Sequence, residues 1–223
     1  RRVPKAKIFE LGMTYIPVEN QKLPDEKIVV ALGMYGDVDF FDLKGIVQNL
    51  LDDLGIKNAE FEADTESPAY HPGRCAKICA GGKIIGTIGQ LHPDIAENFK
   101  LDTDIYCGEL DFNTIMEFST FEREYKSLPK FPASNRDIAL VIDKSISVGK
   151  IEKILNDTKH GILESYKLFD VYEGAGIADD KKSMAFTVEF CPKDEAFESD
   201  SVDHFVNKIL KNLKKELDID LRS

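Results

Sequence analysis

Changes in the spacing of apolar residues predict a series of elements in the second half of the chain. Apolar and polar residues alternate as in β-strands over Arg136–Asp143, Ile162–Glu173, Lys181–Cys191 and Ile219–Arg222. Apolar residues three or four positions apart predict helices over Val148–Asp157 and Val202–Leu217. This order predicts a ferredoxin-like βαββαβ domain over residues 131–223, with both helices on one face of the sheet and the other face open.

The first half, residues 1–125, predicts a second domain with more strands. Strand patterns occur at Lys5–Ile16, Lys27–Met34, Ala59–Ala63, Ala76–Cys79, Lys83–Leu91 and Ile105–Asp111, and one helix is predicted over Asp42–Gly55. Strands this close together leave no room for helical crossovers, so the sheet should be mostly antiparallel. A proline-containing segment, 122–133, links the two domains. The predicted fold class is therefore α+β.

Strand alternation also predicts which side chains lie on the open face of the second sheet. Ala139, Ser183 and Arg222 are assigned to it, because their strand neighbours are apolar and face the helices. The strand ending at Tyr172 is apolar at both parities, as a bulge would explain; if Phe169 and Val171 are core, Tyr172 points to the open face. Small residues flanked by an aromatic ring and a guanidinium suit an unpaired RNA base. Packing against the other domain is the alternative, and alternation does not separate the two.

Composition narrows the kinds of partner. The 223 residues carry a net charge of −11, and neither half is basic, so non-specific binding of RNA or DNA is not expected. No apolar run approaches the roughly 18 residues of a membrane helix, which predicts a soluble, cytoplasmic protein without a membrane partner. The start at Arg1 without methionine suggests a piece of a longer chain.

The four cysteines do not predict a metal site. Cys75 and Cys79 lie in an extended segment, about 13 Å apart at 3.3 Å per residue, which is too far for two ligands of one zinc ion. Reduced, buried thiols are expected instead. His71 and Arg74 form the most enzyme-like pair, as a general base and an anion clamp; the other interpretation is that they flank a tight turn at Pro72 and Gly73.

Several sequence blocks resemble the β subunit of bacterial phenylalanine–tRNA synthetases. The blocks Lys130–Asp137, Leu163–Ser165, Leu168–Tyr172 and Lys181–Phe186 resemble its ferredoxin-fold anticodon-binding domain. Those in the first half, Phe9–Gly12, Asp39–Gly45, His71–Arg74, Gly89–Pro93 and Gly108–Leu110, are similar to the class II synthetase-like module that precedes that domain. The resemblance covers nearly the whole chain, in order.

This resemblance implies specific partners and roles. The family charges tRNA(Phe) using ATP and magnesium, as an (αβ)2 heterotetramer whose catalytic site lies on the α subunit. The implied anticodon contacts are Ala139, Tyr172, Ser183 and Arg222. No catalytic residue and no cofactor are expected in this piece, because Ile8 stands where a working class II site has an arginine. The rival hypothesis is a regulatory ferredoxin-like module that binds a small ligand or dimerises. It would favour a glycine-rich turn, whereas Asp143–Gly149 contains one glycine.

Overall fold

The computed structural model describes residues 3–123, 125, 129–158, 162–192 and 199–221. The chain forms two compact units, Arg1–Glu124 and Tyr125–Ser223. Each unit has its own hydrophobic core, and the two cores share no residue.

The first unit is built on a six-stranded sheet in the order β1-β2-β6-β5-β4-β3. Its strands are β1 (Ala6–Ile16), β2 (Asp25–Tyr35), β3 (Glu60–Ala63), β4 (Tyr70–Ala80), β5 (Lys83–Leu91) and β6 (Ile105–Asp111). All neighbouring strands are antiparallel, which confirms the predicted pairing. Buried residues of the sheet, such as Ile78, Ile88 and Leu110, pack with the helices on one face.

Three helices accompany this sheet: α1 (Phe40–Asp53), α2 (Pro93–Asn98) and α3 (Phe112–Phe118). Helix α1 begins at a capping box, in which Asp39 and Asp42 each accept a hydrogen bond from the other's backbone amide. Helix α3 was not predicted. It follows β6 without a break, Asp111 caps it by accepting from the Thr114 amide at 2.7 Å, and seven residues are too few to display a helical period.

The second unit has the predicted βαββαβ order. Its strands are β7 (Ser134–Asp143), β8 (Leu163–Tyr172), β9 (Lys181–Phe190) and β10 (Asp220–Leu221), and its helices are α4 (Val148–Asp157) and α5 (Ser199–Leu217). The sheet order is β10-β7-β9-β8, and all pairs are antiparallel. Both helices contribute to one core with the sheet, so the α+β class is confirmed. Within the described ranges, no helix is long and apolar enough to cross a membrane.

Strand β8 contains a bulge at Phe169, which confirms the expectation of a bulge in this strand. Leu168 pairs with Phe186 and Asp170 pairs with the adjacent Ala185, so Phe169 has no partner in the ladder. The orientation of Tyr172 was predicted on the condition that Phe169 and Val171 are core residues. Their exposed fractions are 53% and 48%, so this condition is wrong. The side chain of Leu221, expected to face the core, is also half-exposed, because it lies on the short edge strand.

Candidate nucleic-acid interface

The face of the second sheet opposite α4 and α5, called the open face here, is organised in cross-strand rows. Residues directly opposite each other on antiparallel strands point to the same side. Phe186 and Val188 of β9 are fully buried on the helix side. Thr187, which lies between them, therefore faces the other way, together with every second residue along the strand. The rows are Asn135 with Glu189 and Ser165; Asp137 with Thr187 and Lys167; Ala139 with Ala185 and Asp170; Val141 with Ser183 and Tyr172; and Asp143 with Lys181.

Tyr172 lies on the open face, at the edge strand, with 36% of its surface exposed. Its hydroxyl donates a hydrogen bond to the Ala175 carbonyl at 3.3 Å. Gly174 has a φ of +159°, and a Cβ atom there would lie 2.8 Å from the same hydroxyl. The turn after β8 therefore holds the ring in place and requires a glycine to do so.

The other predicted site residues differ in accessibility. Ala139 is half-buried, and Ala185 lies beside it on β9. These two small residues are called the floor of the open face here, and Ser183 lies diagonally across from Ala139. Ser183 is on the expected face but only 3% exposed, because the larger side chains of Val141 and Tyr172 flank it. Arg222 lies outside the described residues.

The open face also has a polar half, of which strand alternation predicts Asp137 and Thr187 but not Ser165, Lys167 and Glu189. The Thr187 hydroxyl donates to Asp137 Oδ1 at 2.6 Å, and the Ser165 hydroxyl donates to Glu189 Oε2 at 2.7 Å. Lys167, in the row with Thr187, is exposed. The alternation of β9 assigns Thr187 to this face, but the irregular pairing of β8 hid which of its residues lie beside Thr187.

The corresponding face of the first sheet carries carboxylates. One row contains Glu10, Ala31, Glu109, Thr87 and Lys77, and the next contains Ile8, Gly33, Cys107, Gly89 and Cys75. The ammonium group of Lys77 is 3.2 Å from the buried carboxylate of Asp64. The lysine in these two rows is thus already paired with a carboxylate.

His71 and Arg74 are not arranged as a catalytic pair. Residues 71–74 have no partners in the β4–β5 ladder, so they form an irregular bend within β4. His71 Nδ1 accepts from the Gly73 amide at 3.0 Å, and the Arg74 guanidinium donates to the buried Gln90. Both contacts stabilise the local backbone and link it to β5.

The described thiols are buried to different degrees. Burial raises the pKa of Cys75 to about 11, and Cys79 and Cys107 also have raised pKa values because burial disfavours their charged forms. Cys75, Cys79 and Cys107 are free. Among the described residues, no three His, Cys, Asp or Glu side chains lie close enough together to hold a metal ion.

Each half of the chain matches a domain of a known protein family. Residues 129–222 match the ferredoxin-fold anticodon binding domain. Residues 1–112 match the phenylalanyl tRNA synthetase beta chain CLM domain. The chain therefore belongs to the phenylalanyl tRNA synthetase beta chain family.

Curated relatives extend the similarity over the whole chain. The chain is 39% identical to the phenylalanine–tRNA ligase beta subunit of Clostridium acetobutylicum, over 97% of this chain and 28% of that protein. It is 35% identical to the same subunit of Symbiobacterium thermophilum, over 100% of this chain and 26% of that protein. The chain thus spans less than a third of these relatives.

Among solved structures, pyrrolysyl-tRNA synthetase from Desulfitobacterium hafniense aligns with a TM-score of 0.42 and 16% identity. That alignment covers 52% of this chain and 42% of the other. A likeness at this level carries no argument about function.

Proposed function

We propose that this chain recognises the anticodon of tRNA(Phe) on the open face of its second unit, as a non-catalytic part of a phenylalanine–tRNA ligase beta subunit. The whole enzyme would couple phenylalanine to tRNA(Phe) with ATP and magnesium, and the chain would work with an α subunit in a cytoplasmic (αβ)2 heterotetramer. Ala139, Tyr172, Ser183 and Arg222 are the proposed anticodon-binding residues.

The observation that carries this proposal is the position of Tyr172 beside a floor of small side chains. Ala139 and Ala185 leave space for a flat ring close to the sheet, and the hydrogen bond to Ala175 fixes the tyrosine at its margin. Stacking of an unpaired base on an aromatic ring contributes about 1–3 kcal/mol and does not need a cation. A chain with a net charge of −11 can bind RNA by this means at a local site.

The chemistry of the first unit supports a role other than catalysis. The exposed face of its sheet presents Glu10 and Glu109 to solvent. Ile8 is 70% exposed at the position where an arginine would be needed for ATP. The carboxylates would repel nucleotide phosphates. The first unit is proposed to support the second within the subunit and to bind no cofactor.

The test is a binding titration of the whole chain with tRNA(Phe) and with a variant transcript whose three anticodon bases are changed. We expect Tyr172→Ala to weaken binding of tRNA(Phe) by about 1–3 kcal/mol, or roughly 5- to 150-fold, because one stacked base is lost. Tyr15→Ala is the control, since it removes an exposed tyrosine ring from β1 in the other unit.

Two outcomes would contradict the proposal. One is equal binding of the two transcripts by the parent chain, and the other is unchanged binding of tRNA(Phe) by Tyr172→Ala. A small ligand that saturates the open face without displacing either transcript would show that the tRNA binds elsewhere. That result would favour the regulatory-module hypothesis instead.

A further inference from the structure

The acidic character of the second unit raises the question of how it contacts an RNA backbone. From Phe131 to Ser223 the sequence has 14 Lys and Arg residues against 18 Asp and Glu residues. Phosphate contacts require cations, and each one contributes to the salt dependence of binding. Any backbone contact on the open face must therefore come from a particular basic side chain.

The described rows of the open face contain two lysines, and they differ in their surroundings. Lys181 lies opposite Asp143. Hydrogen bonds from Ser145 hold the pKa of Asp143 below its usual range, and the charge of Lys181 lowers that pKa further. The pKa of Asp218 is lowered mainly by Lys214, and the charge of Lys181 lowers it further. Carboxylates therefore already offset the charge of Lys181.

Lys167 is in the opposite situation. Its side chain is exposed, and it makes no hydrogen bond or ion pair with the part of the chain that the structure describes. The carboxylate in its own row belongs to Asp137, two strands away, which accepts the Thr187 hydroxyl at 2.6 Å. The neighbouring rows contain Glu189, which accepts the Ser165 hydroxyl at 2.7 Å, and Asp170, and neither makes an ion pair with Lys167. The ammonium group of Lys167 is thus available to an external anion.

Lys167 and Tyr172 also have a suitable spacing. Their row partners on β9, Thr187 and Ser183, are four residues apart, which corresponds to about 13 Å along the strand. The row between them contains Ala139 and Ala185 on the two central strands and the exposed Asp170 on β8. The two alanines therefore lie between the aromatic ring and the lysine, with the Asp170 carboxylate at the β8 end of their row. Both Lys167 and Tyr172 are on β8, the edge strand, at the margin of the open face.

We propose that Lys167 binds a backbone phosphate of the RNA strand whose base stacks on Tyr172, so that the unpaired strand crosses Ala139 and Ala185 from Tyr172 to Lys167 and stays inside the Asp170 carboxylate at the β8 edge. This inference rests on the proposed function. Lys167 lies on the same face as the Tyr172 ring, and its exposed ammonium group can reach a phosphate of a strand whose base stacks there. A lysine ammonium is a flexible point charge, which suits a phosphate better than the edge of a base.

The experiment measures the affinity of the whole chain for tRNA(Phe) between 50 and 300 mM KCl, about the range in which phosphate contacts dominate the salt dependence. We expect Lys167→Ala to reduce the slope of log K against log [KCl] by about 0.7–0.9 and to weaken binding roughly 3- to 10-fold at about 100 mM KCl. Lys167→Arg should restore the slope. The anticodon-substituted transcript should show the same change in slope, because phosphates carry no sequence information.

The control is Lys211→Ala, which removes an exposed lysine from α5 on the other side of the sheet. An unchanged slope for Lys167→Ala, or an equal reduction for Lys211→Ala, would overturn the inference. Tyr172→Ala separates this failure from failure of the proposed function, since it should lower affinity with little change in slope. If Tyr172→Ala weakens binding and Lys167→Ala does not, the anticodon proposal stands and the path of the strand is wrong.

Discussion

Truncation of Leu213 tests the core beneath the open face. Leu213 is fully buried in α5, in the core that supports β7 and β9. Leu213→Ala removes three carbon groups, whose lost burial costs about 2.4 kcal/mol at 0.8 kcal/mol each. The cavity left behind brings the expected loss to about 3–5 kcal/mol. A domain of this size has about 5–15 kcal/mol of stability in total, so the variant should fold but open far more often.

Hydrogen exchange is the suitable assay, because it reports stability separately for each segment. The slowest amides of β7 and β9 should exchange about 100- to 4,000-fold faster in Leu213→Ala, since each 1.4 kcal/mol corresponds to a factor of ten. Amides of β5 and β6, in the other core, should be unaffected. Lys211→Ala on the exposed side of the same helix is the control. Unchanged protection of β9 would refute the placement of α5 against this sheet.

Two further predictions concern a buried carboxylate and the turn beside Tyr172. The Glu66 amide, which donates to Asp64 at 3.1 Å, and the Lys77 ammonium hold the pKa of Asp64 below its usual value. Such a group stabilises the fold above its unfolded pKa of about 3.9 and loses that contribution as pH falls through the folded pKa. Asp64→Asn should therefore make the first unit's stability less sensitive to acid, as followed by urea unfolding from about pH 5 to pH 2; identical profiles would contradict this. Gly174→Ala should displace the Tyr172 ring and weaken tRNA(Phe) binding roughly 2- to 10-fold, part of the loss of a stacked base. Gly149→Ala in α4, where a Cβ meets no atom within 4 Å, is its control, and equal binding by both variants would argue against a role for the turn.

Regular periodicity explains how much of the fold could be predicted. Apolar residues recur every three or four positions along α5, and apolar and polar residues alternate along β7 and β9. The buried faces of these elements therefore follow directly from the sequence. Helix α3 could not be found in this way, because it is short and follows β6 directly. The bend at residues 71–74 depends on partners in β5, such as Gln90, which are distant in sequence.

The candidate site was predictable only in part, for a similar reason. Ala139 and Ser183 lie on regular strands, so parity identified their face, but parity carries no information on accessibility. Ser183 is buried by the bulk of its cross-strand neighbours, which only the register reveals. Lys167 was missed because β8 has apolar residues at both parities, and the bulge at Phe169 is a property of pairing with β9.

The bulge makes β8 unequally tolerant of changes in length. In a regular strand, Lys167 and Tyr172 would point to opposite faces because five positions separate them; the extra residue at Phe169 brings both to one face. Deletion of Phe169 would leave them four positions apart, still on the same side. Deletion of Val171 with the bulge retained would turn Tyr172 toward the helices. Natural variation in the length of this strand is therefore expected at Phe169, and a single missing residue elsewhere between Lys167 and Tyr172 would separate the two groups onto different faces.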